Sequence, residues 1–144
     1  MESEVTFFAT GDPKGQPRPR AFSRGGHVRV YDPGTAEGWK GQIAIACKSK
    51  IPAEPIKGPV RIVLTFYFAR PASHYFTGKR RDVRRPDAPG AHLAKPDADN
   101  LAKAVLDAMT TLGFWRDDSQ VCDLYVIKQY ADTIPGCNVQ MFHQ

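Results

Sequence analysis

The run "KPDADNLAKAVLDA" (95–108) brings Asp97, Asp99, Asn100, Lys103 and Asp107 close together in the chain. Successive residues of a helix turn by about 100°. With Asp99 at zero, Lys103 comes near 40°, Asp107 near 80° and Asn100 near 100°, whereas Leu101, Ala104, Val105, Ala108 and Leu112 gather between about 140° and 240°. One face is thus apolar, and the other carries carboxylates, an amide and an amine. Asp97 lies two residues before Asp99, in an extended segment after Pro96, so both carboxylates are expected on one side. Two acids held that close repel each other, and a hard divalent cation with oxygen ligands offsets the repulsion. Mg2+ takes a few carboxylates together with substrate phosphate oxygens. A third acid would complete such a cluster. "WRDDSQV" offers Asp117 and Asp118 at the mouth of the next strand, on the expectation that this strand returns the chain to the start of the helix.

A plainer reading uses the same residues. Asp99 can satisfy free backbone N–H groups as a cap and favour the helix dipole. Lys103 can pair with Asp107, with the lysine first, which is the weaker orientation for a helical ion pair. Asn100 either orients a ligand carboxylate or caps the helix. An EF-hand calcium loop is excluded, because its glycine and closing glutamate positions hold Ala102 and Ala108.

The elements that must position these groups follow from pattern. Residues 4–11, "EVTFFATG", read as a strand, and "HVRVY" (27–31) as a short edge strand. The intervening "DPKGQPRPRAFSRGG" is expected to lack regular structure. A helix is expected from about 35 to 50, with Trp39 in packing. "GPVRIVLTFYFAR" (58–70) is the clearest strand, apolar enough to be central. A long connection, 71–94, carries the basic cluster "GKRRDVRR". A second helix is expected from about 100 to 112, with Gly113 just past its end. Strands at 121–131 and 137–143 follow, and Trp115 is assigned to packing. The expected class is α+β: a two-layer domain, a single one over 1–144, with a small mixed β-sheet and two main helices packed on it.

The chain has 144 residues and a formal net charge of +5, a mild argument for an anionic partner such as nucleic acid. Lys14, Arg18, Arg20, Lys79, Arg80, Arg81, Arg84 and Arg85 suit contacts to DNA phosphates, although any one of them equally suits a solvated surface. Cys47, Cys122 and Cys137 show no CxxC spacing, which argues against a disulfide framework or a zinc knuckle. No apolar run resembles a signal peptide or a membrane span, so a cytosolic protein is expected. His92 lies near the acidic motif, where it could touch DNA, but a lone loop histidine is more often solvated, and that is the expectation here.

The run from 92 to 128, "HLAKPDADNLAKAVLDAMTTLGFWRDDSQVCDLYVIK", closely resembles the RusA family of Holliday-junction resolvases of bacteria and their phages. The matching pieces are PDxDN, the lysine four residues after its second aspartate, LDA, GFW, DDxQV and a lysine closing the strand. "PKGQPRPR" is similar to the basic amino-terminal loop of the phage-type members. The resemblance implies that Asp97, Asp99 and Asp118 are the metal-binding catalytic carboxylates, that Asp117 is an adjacent secondary acid, and that Lys103 is the essential lysine near the scissile phosphate. It implies Mg2+, with Mn2+ substituting, and a homodimer acting on four-way DNA junctions in recombination and repair. Two other readings stand beside it: a nuclease for flaps, forks or other branched DNA, and a non-catalytic DNA-binding protein.

Overall fold

The computed structural model describes residues 2–16, 20–24, 27–31 and 36–144. Strand β1 (Ser3–Thr10) opens the chain, and β2 (Arg20–Arg24) and β3 (His27–Tyr31) form a separate two-stranded antiparallel pair. Helix α1 (Glu37–Cys47), strand β4 (Val60–Phe68), helix α2 (Ala98–Leu112), and strands β5 (Val121–Tyr130) and β6 (Gly136–His143) follow. The main sheet has the order β1-β6-β4-β5, with β4 and β5 parallel and the other pairs antiparallel. This is the expected α+β arrangement of a mixed sheet and two helices. The segment 20–24, expected to be irregular, is instead a strand; among the described residues its ladder partner is β3.

Alternation in β4 explains its central place. Val60, Ile62, Leu64, Phe66 and Phe68 are all buried, facing the same side as Val139 and Met141 of β6 and Phe7 and Ala9 of β1. The helices cover this face. Trp39, Ile43 and Cys47 of α1, and Leu101, Ala102, Ala104, Val105, Ala108 and Met109 of α2, close the core. Trp115 joins it at 1% exposure. Parallel neighbours cannot be joined by a tight turn. The chain therefore leaves β4, crosses through 71–94 and α2, and re-enters the sheet as β5. The crossover sets α2 antiparallel to β5, so the start of α2 lies at the end of β5. Among the described residues, no helix is long and apolar enough to cross a membrane.

Candidate active site

Asp97 holds the N-cap position of α2, with extended backbone (φ −72°, ψ 150°). Its carbonyl accepts the Leu101 N–H at 3.0 Å. Its carboxylate makes no cap hydrogen bond, and both Asp97 and Asp99 are exposed. An aspartate at an N-cap ordinarily turns its side chain onto the N–H of the first turn; this one does not. Lys103, one turn further on, has a side chain 59% exposed, and its Nζ lies 3.7 Å from Asp107 Oδ1. With Lys103 exposed and Asp107 half-buried, a pair of that length contributes little to stability.

The amino-terminal loop crosses this turn at close range. Gln16 N–H donates to Asn100 O at 2.9 Å. A Cβ placed on Gly15 would stand 3.1 Å from Asn100 Cβ and 3.3 Å from Pro96 Cβ. Glycine is therefore what lets "PKGQ" lie on the start of α2, and it carries the exposed Lys14 there. Arg18 and the side chain of Arg20 lie outside the described residues.

At the other end Gly113 adopts φ 91°, and its N–H and that of Phe114 close the helix on Thr110 O and Met109 O. Trp115 Nε1 donates to Thr110 Oγ1 at 2.7 Å. Asp117 then caps a short 3-10 turn, Asp118–Gln120: Asp117 Oδ1 accepts the Ser119 N–H at 2.9 Å, and Gln120 Oε1 accepts the Asp117 N–H at 3.2 Å. The Ser119 backbone N–H, then the Ser119 and Asp118 side chains, hold the Asp117 carboxyl below its ordinary range. Asp118 is exposed and shares an open recess with Asp107, Thr110 and Arg116.

The acids therefore form two groups. Asp97 and Asp99 open the first turn of α2; Asp117 and Asp118 lie past its last. A helix of 15 residues is about 22 Å long. The expectation that β5 would return the chain to the helix start holds only for the far end of that strand. Lys128 Nζ donates to Ala94 O at 2.7 Å, and His92 N–H donates to Lys128 O at 3.2 Å. Lys128 thus comes back toward Asp97, while Asp118 stays at the opposite end. Among the described residues of one chain, no three Asp, Glu, His or Cys side chains come together as a metal ion would require.

The long connection is ordered by aromatic contacts. Arg80 and Arg85 lie over the Phe76 ring at 4.1 and 5.1 Å. Arg85 Nε also donates to Tyr75 O at 3.0 Å, and Arg84 pairs with Asp132 at 2.8 Å. Among the described residues Lys79, Arg80 and Arg81 make no ion pair, which leaves their charge for a partner. His92 is not solvated: at 8% exposure it stacks on Phe68 with ring centroids 3.8 Å apart. Burial, and then the Lys128 charge, push its pKa down. Stacking on the sheet fixes the chain just before the DADN turn. Pattern reasoning also passed over Gln120, although Asp117-x-x-Gln120 has the spacing of a capping box.

Residues 10–141 match the family model for endodeoxyribonuclease RusA. The chain is 34% identical over 133 residues to the uncharacterized protein YqaN of Bacillus subtilis, covering 89% of each. It is 59% identical over 32 residues to the crossover junction endodeoxyribonuclease RusA of Escherichia coli K12, a stretch that is 22% of this chain and 27% of that protein. A match of the same extent and identity joins it to the RusA protein of Enterobacteria phage 82. With the family model covering nearly the whole chain, and the acid pairs of the motif at the two ends of α2, this chain belongs to the RusA endodeoxyribonuclease family.

Proposed function

We propose that this chain is a Mg2+-dependent endodeoxyribonuclease, active also with Mn2+, that resolves four-way DNA junctions by hydrolysing a phosphodiester in two symmetry-related strands. The observation that carries this reading is Asp97: an exposed carboxylate at a helix N-cap that is left out of the cap. Asp97 and Asp99 are hard oxygen donors on exposed chain, and they fit Mg2+ as ligands. When bound, the ion supplies positive charge to the phosphate and lowers the pKa of the attacking water. Lys103 presents its ammonium one turn from Asp99, where it stabilises the negative charge that develops on the phosphate. The "PKGQ" loop, seated on Asn100, brings Lys14 against the DNA backbone, and Lys79, Arg80 and Arg81 add charge from the long connection.

The working unit in this proposal is a two-fold homodimer. The separation of Asp118 from Asp97 within one chain supports it. Strand β5 is an edge of the main sheet and exposes Leu124, Tyr125 and Ile127. Among the described residues, only 90–92 lie along its outer side, bonding Lys128 and Tyr130. The rest of this edge, with apolar side chains exposed beside it, invites pairing. Antiparallel pairing of β5 with its copy would set the two α2 helices antiparallel. Asp118 of the partner subunit would then approach Asp97 and Asp99, giving two sites about one axis, as a junction with two-fold symmetry needs.

The test uses a synthetic four-way junction, a flap and a linear duplex, each with Mg2+ and with chelator. Paired nicks in the junction, absent with chelator, are expected. Lys103→Ala should lower cleavage by about 100- to 1000-fold with an unchanged Tm. Equal cutting of flap and junction would make the protein a general branched-DNA nuclease. Tight binding without cutting any substrate would leave a DNA-binding protein.

A further inference from the structure

We infer that Gln120 is a positioning residue for Asp118, strapping the Asp117–Asp118 turn to the segment before β4; this rests on the proposed role of Asp118 as a metal ligand. All four hydrogen-bonding positions of the Gln120 amide are occupied. Its Oε1 accepts the backbone N–H groups of Arg116 at 3.0 Å and Asp117 at 3.2 Å. Its Nε2 donates to Ile56 O at 2.7 Å and Gly58 O at 3.1 Å, more than sixty positions away in sequence. A glutamine amide offers two lone pairs and two N–H groups, so nothing is left over.

The geometry explains why this residue type is needed. Asp118 is exposed, its carboxylate is neighboured by that of Asp117, and no backbone N–H among the described residues holds it as the Ser119 N–H holds Asp117. Its position is set by the backbone on either side. That backbone is clamped at Asp117 N–H by Gln120 Oε1 and at Gln120 by the strap to Ile56 and Gly58. The Ile56 N–H in turn donates to Phe114 O at 2.9 Å, which ties the same segment to the end of α2. Three pieces of chain therefore meet at one side chain: the exit of α2, the acid turn and the entry to β4. Only a group that both donates and accepts can join them. Glutamate lacks the donors, lysine lacks the acceptor, and asparagine is a methylene shorter.

Removing the partners that orient a metal-binding carboxylate typically weakens metal binding by about 10- to 100-fold. The experiment compares wild-type protein with Gln120→Met, which keeps length and removes every polar bond. Gln120→Glu serves as a second variant, keeping the accepted bonds and losing the donated ones. Its added charge alone would attract a cation, so a raised metal requirement there reflects lost geometry. Mn2+ occupancy by EPR without DNA, the Mn2+ concentration for half-maximal junction cleavage, junction affinity in chelator and Tm are measured together. Gln120→Met should raise half-saturating Mn2+ by about 10- to 100-fold, Gln120→Glu by less, with junction affinity in chelator unchanged. Trp115→Phe, which loses the nearby bond to Thr110 but leaves the acid turn intact, should lower Tm without moving the metal requirement. Variants that lose Tm while half-saturation stays at the wild-type value would overturn the positioning role alone. A wild-type protein that binds no Mn2+ would overturn the metal-ligand role of Asp118 as well.

Discussion

An aspartate precedes each of two helical segments at opposite ends of the same crossover, and the two are put to different use. Asp97 precedes α2 and leaves the first-turn N–H groups without its carboxylate. Asp117 precedes the 3-10 turn and completes a capping box, its carboxylate on Ser119 N–H and Gln120 on its own N–H. Residue type is the same in the two places and both backbones are extended, at φ −72°, ψ 150° for Asp97 and φ −145°, ψ 137° for Asp117. The longer helix has the greater need of a cap, since more aligned peptide dipoles end there. Yet it is at the longer helix that the N-cap side chain makes no cap bond. A carboxylate withheld from its local backbone is available to something else, and the difference separates a structural acid from a chemical one.

The sharpest way to break the comparison is to neutralise each acid. Asp97→Asn should lose junction cleavage by several orders of magnitude and leave Tm unchanged, because no cap bond disappears. Junction binding in chelator should stay normal or tighten, since one negative charge facing DNA is removed. Asp117→Ala should do the reverse, lowering Tm while cleavage falls far less. A gel assay beside a melting curve on each variant decides it. A Tm drop in Asp97→Asn comparable to that in Asp117→Ala would place both aspartates in the same structural role.

A smaller effect sharpens the amino-terminal side. Gly15→Ala puts a methyl 3.1 Å from Asn100 Cβ and 3.3 Å from Pro96 Cβ, tighter than such contacts normally run. The loop must lift by a few tenths of an ångström, weakening the bond from Gln16 N–H to Asn100 O. Junction affinity should fall several-fold, with a shallower salt dependence as Lys14 withdraws. The core lies elsewhere, so Tm should hardly move. Unchanged affinity across a salt titration would remove the loop from the DNA-binding surface.

The parts of this architecture governed by side-chain period were legible in the sequence. The alternation from Val60 to Phe68 marked a central strand, and the stripe from Leu101 to Ala108 marked the buried face of α2. Gly113 announced the helix end through the positive φ it adopts. Other features depend on which pieces meet in space. Strand β2 hides among prolines and glycines because, among the described residues, it pairs with β3 and not with the core sheet. His92 looked like loop because nothing in "AHLAK" shows that Phe68 waits beneath it. The acid motif was readable as a set, but not as an arrangement. Periodicity says which way a side chain faces; it does not say which end of the returning strand meets the start of α2. That end is Lys128, and Asp118 stands at the other.

The smallest effect concerns acid stability and rests on the Asp117 carboxyl and the groups that hold it. Its carboxyl is held below the ordinary value of 3.8, first by the Ser119 backbone N–H. A depressed folded-state pKa means that ionised Asp117 binds its proton less readily folded than unfolded. The resulting stability is fully present above the unfolded value and is lost as pH falls through the folded one. Asp117→Asn keeps an oxygen on the cap, since Asn and Asp serve about equally there, but has no proton to gain. Near neutral pH the two proteins should melt within a degree or two of each other. Below the ordinary carboxylate range the wild-type Tm should fall more steeply, so the difference closes or inverts only in acid. A parallel pair of Tm-against-pH curves for wild type and Asp117→Asn would mean that the capping box carries no charge-dependent stability, and the contrast between the two aspartates would then rest on geometry alone.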